Sequence, residues 1–366
     1  MNVLVEISHP AHVYKLLATI KELSGKGHKV IVVTKKVKSI TYLLSKFDVE
    51  FIVLGSKKDS LFGKAIMQVW YNLRCLLLVK FNRVDLMIGS ITAAFLTRIT
   101  KIPSLLFDDD DDEVEPLIVK YVHPYISLIL SPDALMGMRA RKDTIYYAGY
   151  HELAYLHPNR FTPDPSVLTE IGLKEGDVFF VMRFNVFKAH HDVGIEGLSI
   201  ENKRKIIAIL EKRGKVFITT ERNIDEEFLK YQLKLAPEKV HSLLYYATMF
   251  IGDSQTMTSE AAMLGTPSIR SNSFVDRIEY LEEEEHKYQL TFGFIPTDSE
   301  AMFSKLDELL SIKDLKEEWQ RRRLLMLDDK IDVTAFYVWF IENYPQSLSV
   351  MKENPDYQYK FKFKFK

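Results

Sequence analysis

Residues 248–273 read TMFIGDSQTMTSEAAMLGTPSIRSNS, and this stretch decides the fold. Thr248 to Ile251 has the composition of a short buried strand, and a turn of small polar residues follows (Gly252, Asp253, Ser254, Gln255, Thr256). Met257 to Leu264 carries the Ala, Met, Leu and Glu content of a helix. Gly265 stands where a helix normally stops, and Pro267 bars further helix, so Ser268 to Arg270 can start the next strand. Strand, polar turn, helix leaves free backbone N–H groups at the helix start, where the helix dipole also favours an anion such as phosphate. Glu260 lies one turn in, where a carboxylate can accept hydrogen bonds from sugar hydroxyls. The same pattern also fits any strand–turn–helix of an α/β protein, with Glu260 merely a good helix former.

The run Gly-Asp-Ser-x-Thr-Met-x-x-Glu-Ala-Ala-x-Leu-Gly-x-Pro, residues 252–267, resembles the nucleotide-binding segment of UDP-N-acetylglucosamine 2-epimerases and related GT-B glycosyltransferases. It is more similar still to an uncharacterised family related to them. In the epimerases the turn reads Asp-Ser-Gly-Gly, and here Gln255 and Thr256 replace both glycines. Side chains at those positions narrow the approach of a pyrophosphate to the backbone. Ser254 and Glu260 fall on the positions that meet phosphate and ribose. The resemblance extends over roughly residues 1–345.

At 366 residues the chain is long enough for two domains, each with its own core. Hydrophobic residues make up 47%, which excludes a disordered chain, and a net charge of -1 gives no global attraction to nucleic acid. A single cysteine, Cys75, excludes an intramolecular disulfide framework and fits a reducing cytoplasm. Val3 to Ile7 is too short and too interrupted by Glu6 for a signal segment, and no stretch reaches the ~18 uninterrupted apolar residues of a membrane span. A cytoplasmic protein is expected, peripheral to a membrane at most.

In the first half, strand patterns at Asn2–Ile7, Lys29–Thr34, Phe51–Leu54, Leu86–Ile88 and Ser104–Phe107 alternate with helix patterns. The helices are expected over residues 13–24, 41–47, 62–80, 92–100 and 116–129. Strands alternating with helices predict a doubly wound parallel sheet, whose ligands bind beyond the C-terminal strand ends. Those ends carry Ser8, His9 and His12, then Gly89 and Ser90, then Asp108. A histidine at a helix start resists protonation, so His12 is a candidate general base. An N-capping role for Ser8 with two ordinary turn histidines is the plainer alternative. His28 sits at the far end of the sheet.

Asp108 to Asp112, with Glu113 and Glu115, form an acidic block. Five consecutive carboxylates cannot all converge on one cation, so a solvated loop before a helix is expected for most of them. The resemblance singles out Asp108, which matches a catalytic carboxylate of the epimerases. Those enzymes carry a second acid in a His-Gly-Asp-Thr turn, whereas the matching turn here is Gly89-Ser90-Ile91-Thr92, without one. That difference weighs against epimerase chemistry, which needs an acid and a base. An inverting glycosyl transfer needs one base and a stabilised leaving group.

Gly149 to Pro165 is expected to cross between domains, with His151, Glu152 and His157 as solvent-facing loop residues rather than a metal site. The second domain repeats the alternation, with strands expected at 177–182 and 216–219 and helices at 199–213 and 225–233. The resemblance places Arg183 in the ligand cleft, where its planar fork suits pyrophosphate, with His190 or His191 near the sugar or acceptor. It also assigns Lys239–Tyr246, with His241, to support of the nucleotide base, and the Arg270 cation is placed to help neutralise phosphate. Glu282 to Glu285 reads as a solvated helix face, and the apolar helix 333–344 as packing back toward the first domain.

Residues 57–83 mix Lys57, Lys58, Lys64, Arg74, Lys80 and Arg83 with Phe62, Trp70 and leucines. Such a helix can lie in a lipid headgroup layer, but the need to cover a doubly wound sheet favours a core helix. The tail 346–366, ending in alternating Lys and Phe, is expected to be disordered with weak attraction to anionic lipid.

The sequence thus predicts two doubly wound, parallel-sheet (Rossmann-like) α/β domains facing a cleft, residues 1–155 and 166–330, of GT-B type. The implied activity is sugar transfer from a nucleotide diphosphate sugar, UDP-linked, to a surface glycan or lipid-linked acceptor. His12 and Asp108 are the catalytic candidates. Nucleotide-sugar contacts are expected from Ser8, His9, Ser90, Arg183, His190 and His241. Others are expected from the turn Asp253, Ser254, Gln255, Thr256 and Met257 with Glu260 and Arg270. No metal or cofactor is required, because GT-B enzymes neutralise the leaving group with helix dipoles and cations. The alternatives are an epimerase-like enzyme and a binding protein without turnover. Sugar, acceptor and oligomeric state stay open.

Overall fold

A computed structural model describes residues 1–56, 60–184, 197–220 and 224–363. The chain divides into two compact units, Met1–Arg160 with Lys330–Lys366, and Phe161–Asp329.

In the first unit the elements run β1 (Asn2–Ile7), α1 (Pro10–Gly25), β2 (Lys29–Lys36), α2 (Lys38–Lys46), β3 (Phe51–Ser56) and α3 (Leu61–Phe81). They continue with β4 (Leu86–Ile88), α4 (Ile91–Thr100), β5 (Ser104–Phe107), α5 (Pro116–Tyr121), β6 (Leu128–Pro132), β7 (Ile145–Tyr147) and α6 (Leu153–Leu156). The seven strands pair in parallel in the order β3-β2-β1-β4-β5-β6-β7. Strand order therefore reverses between β1 and β4, which pair with Val3 opposite Leu86 and Val5 opposite Ile88. Sheets of this kind open a crevice at that switch point, beyond the strand C-termini. Burial on both faces explains the near-continuous Val, Ile and Leu of β1, β2 and β6.

The second unit runs α7 (Ser166–Glu170), β8 (Phe179–Arg183), α8 (Ile200–Leu210), β9 (Lys215–Thr219), α9 (Val240–Tyr246), β10 (Met249–Gly252), α10 (Gln255–Leu264) and β11 (Ser268–Ser271). α11 (Glu279–His286), β12 (Thr291–Phe294), α12 (Ser299–Ser311) and α13 (Leu315–Asp329) complete it. Its five strands are parallel in the order β12-β11-β10-β8-β9. β10 lies at the centre, and Gly252 is opposite Arg183 on one side and Arg270 on the other. A Cβ on Gly252 would stand 2.4 Å from the Arg183 carbonyl oxygen, so only glycine permits this strand approach.

The chain then returns to the first unit as α14 (Val333–Glu342) and α15 (Gln346–Glu353). α14 packs on α1 and α6. The expected disordered tail is corrected. Residues 346–353 are helical, and Pro355–Phe361 form a 3-10 turn whose aromatic side chains find partners on α14. Tyr357 stacks on Trp339 with ring centroids 4.6 Å apart, and Phe361 lies 6.0 Å from Phe336. The Ala148 amide donates to Gln358 Oε1 at 2.6 Å.

Other expectations are also revised. The helix expected over 116–129 is α5 alone, and Leu128 to Pro132 form a buried strand instead. Residues 149–160 belong to the first unit, and His151, Glu152 and His157 are buried rather than solvent-facing. The expected helix at 225–233 is a 3-10 segment, Glu226–Tyr231.

Candidate functional site

The C-terminal edge of the first sheet gathers most of the unit's candidate residues. Pro10 starts α1, and its N-cap is His9, whose Nδ1 accepts from the Ala11 amide at 3.3 Å. Ser8, the cap in the plainer alternative, instead places its Oγ 3.4 Å from His12 Nδ1. His9 and His12 meet edge to face, with ring centroids 6.1 Å apart. Burial, and then the nearby Lys15 cation, push the His12 pKa down to about 3, against a smaller opposing pull from Asp109. His12 is therefore a neutral imidazole at neutral pH, with a basicity well below that of a solvated histidine.

One helical turn further on, the buried Lys15 donates its ammonium to the Phe107 carbonyl at 2.8 Å and to the Asp109 carboxylate. The other oxygen of that carboxylate, Oδ2, lies 2.8 Å from His151 Nδ1, and His151 Nε2 lies 3.2 Å from Glu152 Oε1. Burial alone would lower the His151 pKa. The Asp109 and Glu152 carboxylates outweigh burial and raise it to about 9, so His151 is an imidazolium. Burial likewise works against the Asp109 charge, but His151 and Lys15 hold its carboxyl well below the usual range. Two cations and two carboxylates thus balance beside the neutral His12.

Asp108 occupies a different setting from the one expected of a catalytic group. Its Oδ2 is 2.8 Å from His123 Nε2 and accepts from Arg139 Nη1 at 3.2 Å, while its own carbonyl accepts from Arg139 Nη2 at 2.7 Å. Arg139 also holds Asp112, with Nη1 2.8 Å from Oδ1. Asp108 is thus held in place by His123 and Arg139. The expected solvated acidic loop is corrected with it: Asp110, Glu113 and Glu115 are exposed, whereas Asp109 and Asp112 are paired and Asp111 is buried. Among the described residues no group of three or more His, Cys, Asp or Glu is placed to hold a metal ion.

Ser90 caps α4, and its amide donates to Glu6 Oε2 at 3.2 Å. The turn after β4 has no carboxylate of its own, yet it receives one from β1 at the switch point. Glu6 is buried, and a Cβ on Gly89 would meet its side chain at 2.7 Å. Sequence reasoning passed over Glu6, Lys15, Asp109, His151 and Glu152. The available signals were a lone acid in an apolar strand and a lysine on the buried face of α1.

In the second unit, the turn between β10 and α10 is almost wholly buried. The Asp253 amide donates to the Arg183 carbonyl at 3.2 Å, and Asn272 Nδ2 donates to the Asp253 carbonyl at 3.0 Å. Ser254 caps α10: its Oγ accepts from the Met257 amide at 3.4 Å, and its carbonyl accepts from Thr258 Oγ1 at 2.7 Å. The amides of Gln255 and Thr256 belong to the first helical turn, where no intrahelical acceptor exists. Gln255 is half-buried and Thr256 exposed, so the helix start is open to solvent while Asp253, Ser254 and Met257 are buried. Helical side chains lean toward the N-terminus, which puts the Gln255 amide and the Thr256 hydroxyl on the border of this opening. Gly265, at φ 69°, ends the helix in the left-handed conformation expected of it.

Glu260 is buried one turn into α10, with Oε1 2.9 Å from Nε2 of the buried His241 on α9. The structure thus joins two residues that the sequence reading assigned separately. Arg183 ends β8, half-buried. Arg270 does not have the role expected of it. It is fully buried, with Nη2 donating to Glu282 Oε1 at 2.7 Å and 3.6 Å from Glu285 Oε2 on α11, while its Nε and Nη1 have no hydrogen-bond partner among the described residues. The supposed solvated face 282–285 is corrected by the same contacts. Glu284 is buried as well, accepting from Ser259 Oγ at 2.5 Å. His190 and His191 lie outside the described residues.

No curated protein matches the chain. Solved structures do match in fold. UDP-GlcNAc 2-epimerase from Neisseria meningitidis, bound to UDP-GlcNAc, is 13% identical with a TM-score of 0.63, over 87% of this chain and 94% of that one. The spinosyn forosaminyltransferase SpnP is 13% identical with a TM-score of 0.66, over 95% and 99%. The Streptomyces sp. SF2575 glycosyltransferase SsfS6, complexed with thymidine diphosphate, is 12% identical with a TM-score of 0.58, over 93% and 99%. At such identities the likeness is one of fold, and it agrees with the two parallel-sheet units in giving a Rossmann-like GT-B architecture. Residues 1–334 match the model of a family described as protein of unknown function (DUF354), and the chain belongs to that family.

Proposed function

We propose that the chain binds a nucleoside diphosphate sugar, UDP-linked, and transfers the sugar to a hydroxyl acceptor in glycan or glycolipid synthesis. The observation that carries this reading is the helix start of α10. It is a buried, hydrogen-bonded turn in which Gln255 is half-buried and Thr256 exposed. Their amides and the helix dipole suit a diphosphate, and Glu260, positioned by His241, suits the ribose hydroxyls. The neighbours crystallised with UDP-GlcNAc and thymidine diphosphate support a nucleotide ligand of this class.

In the transfer, His12 takes the acceptor hydroxyl proton as that oxygen forms a bond to the anomeric carbon. The bond from that carbon to the β-phosphate oxygen breaks, and the nucleoside diphosphate leaves with its electron pair, stabilised by the α10 amides. His12 replaces Asp108 as the preferred base, because Asp108 is held by His123 and Arg139. A second reading, epimerase-like chemistry, gains from Glu6, which brings a carboxylate to the Ser90 turn.

Calorimetric titration with UDP, TDP, GDP, UDP-GlcNAc and UDP-GalNAc tests the proposal. Selective binding of one nucleotide is expected, weakened by about 10–100-fold in Glu260→Gln through loss of charge-assisted hydrogen bonds. A folded protein that binds none of them would sink the nucleotide-sugar reading. Interconversion of UDP-GlcNAc without an acceptor would favour the epimerase. Binding without turnover in any assay would leave a binding protein.

A further inference from the structure

α3 is apolar on two faces. Tyr71, Cys75 and Val79 are buried in the first unit's core, as sheet-covering residues should be. Ile66, Trp70, Leu73, Leu77 and Phe81 recur at helical spacing on the outside, each more than half exposed, with Phe81 at 84%. The neighbouring α4 repeats this with Ile91, Phe95 and Ile99, and α5 adds Leu117 and Tyr121, all exposed. An apolar surface spread over three helices is larger than the scattered hydrophobic residues of an ordinary solvated face.

Its charge is equally one-sided. The whole chain carries 49 basic and 50 acidic residues. α3, α4 and α5 hold Lys64, Arg74, Lys80, Arg98 and Lys120 and not one Asp or Glu, and Arg83 and Lys101 lie just past the ends of the first two, with the exposed Asp85 and Glu115 flanking the face. The acidic block 108–115 lies at the opposite, C-terminal edge of the sheet, after β5. At the basic edge, the C-terminal ends of α3 and α4 enclose an open recess of about 500 Å³. Leu76, Val79, Ile99 and Ile102 line it together with Lys80 and Arg83. Apolar walls beside two cations fit an acyl chain that ends in an anionic headgroup. No helix among the described residues is long and apolar enough to cross a membrane.

We infer that the α3–α4–α5 face docks on an anionic lipid membrane, lying in the headgroup layer with Phe81, Leu77 and Trp70 inserted and the lysines and arginines against lipid phosphates. This inference does not depend on the nucleotide reading, and its test contains no nucleotide.

The test is co-sedimentation of the full chain with vesicles of phosphatidylcholine alone or mixed with phosphatidylglycerol. Binding to the mixed vesicles is expected, weakened by salt and much weaker on phosphatidylcholine alone. Phe81→Asp should reduce it about tenfold or more, and Lys80→Glu with Arg83→Glu roughly fivefold or more per charge. These residues are on the surface, so circular dichroism should match the parent. As an independent readout, brominated acyl chains should quench fluorescence in the parent but much less in Trp70→Phe. Equal binding to both vesicle types, or none, would overturn the inference. A dimer in solution that Phe81→Asp dissociates would also overturn it, assigning the face to a second copy.

Discussion

Asp109→Asn is expected to destabilise the first unit by about 3–5 kcal/mol, the usual cost of leaving buried charges without their partner. Asp109 touches both Lys15 and His151. Without its charge, a buried ammonium and a buried imidazolium face each other with Glu152 as the remaining counter-charge. Hydrogen–deuterium exchange locates the effect: protection should fall in α1 and near His151 and stay unchanged in α10 of the other unit. Asp110→Asn, one residue on, removes a carboxyl whose pKa desolvation and then the Asp109, Glu115 and Asp108 carboxylates raise to about 8, so it should not destabilise the unit. The pH dependence follows from the direction of each shift. His151 has its pKa raised from 6.5 to about 9. Its stabilising contribution is full below pH 6.5 and is lost as pH rises through about 9, a change of roughly 3 kcal/mol in size. The parent should therefore lose stability between those values, and Asp109→Asn should show a much flatter alkaline limb. Asp109 itself acts in the opposite sense: its depressed pKa gives stability above the ordinary carboxylate range that is lost in acid. An Asp109→Asn protein as stable as the parent at neutral pH would show that this cluster is not what orders the β5 and α1 ends.

His12→Ala is expected to lower turnover by about 10²–10⁴-fold, the range for loss of a positioned general base, with nucleotide binding retained. Release of nucleoside diphosphate from whichever sugar donor binds in titration is the readout. Because His12 stays neutral down to about pH 3 in the ligand-free protein, the acid limb of kcat/KM should lie well below pH 6.5. Turnover that survives His12→Ala would remove His12 from the chemistry and direct attention to Glu6, the other carboxylate at the switch point. Asp108→Asn, in contrast, should act through stability, because Asp108 anchors His123 and Arg139.

What was legible in the sequence follows physical lines. Periodicity and punctuation give the β10–α10 segment almost to the residue, since Gly252, Gly265 and Pro267 each mark a backbone event that local chemistry dictates. β4 and β5 are equally plain, as short apolar runs between turn signals. β6 was hidden because its apolar run, Leu128 to Pro132, continues the hydrophobic pattern of α5, and periodicity cannot separate a buried strand from a buried helix end. The tail misled for a related reason. The alternation of Lys and aromatic residues gives no hint that Tyr357 and Phe361 pack on Trp339 and Phe336 of α14.

At the site, sequence reasoning found residues at strand ends but not their partners. Which carboxylate of the acidic block turns toward α1 depends on where β5 stops, and one position separates Asp108 on Arg139 from Asp109 on Lys15. His151 and Glu152 look like loop residues until the chain brings β7 beside β6 and buries them. Arg270 illustrates the converse: a cation placed well for phosphate by strand register is buried beside Glu282 and Glu285, residues that look solvated in the sequence.

The central claim is that a nucleoside diphosphate sits on the start of α10. The most direct measurement is a crystal structure of the protein with the nucleotide that titration selects. A diphosphate within hydrogen-bonding distance of the Gln255 and Thr256 amides, with a ribose hydroxyl on the Glu260 carboxylate, is the expected result. A nucleotide bound elsewhere, with the α10 start holding only solvent at saturating ligand, would contradict it.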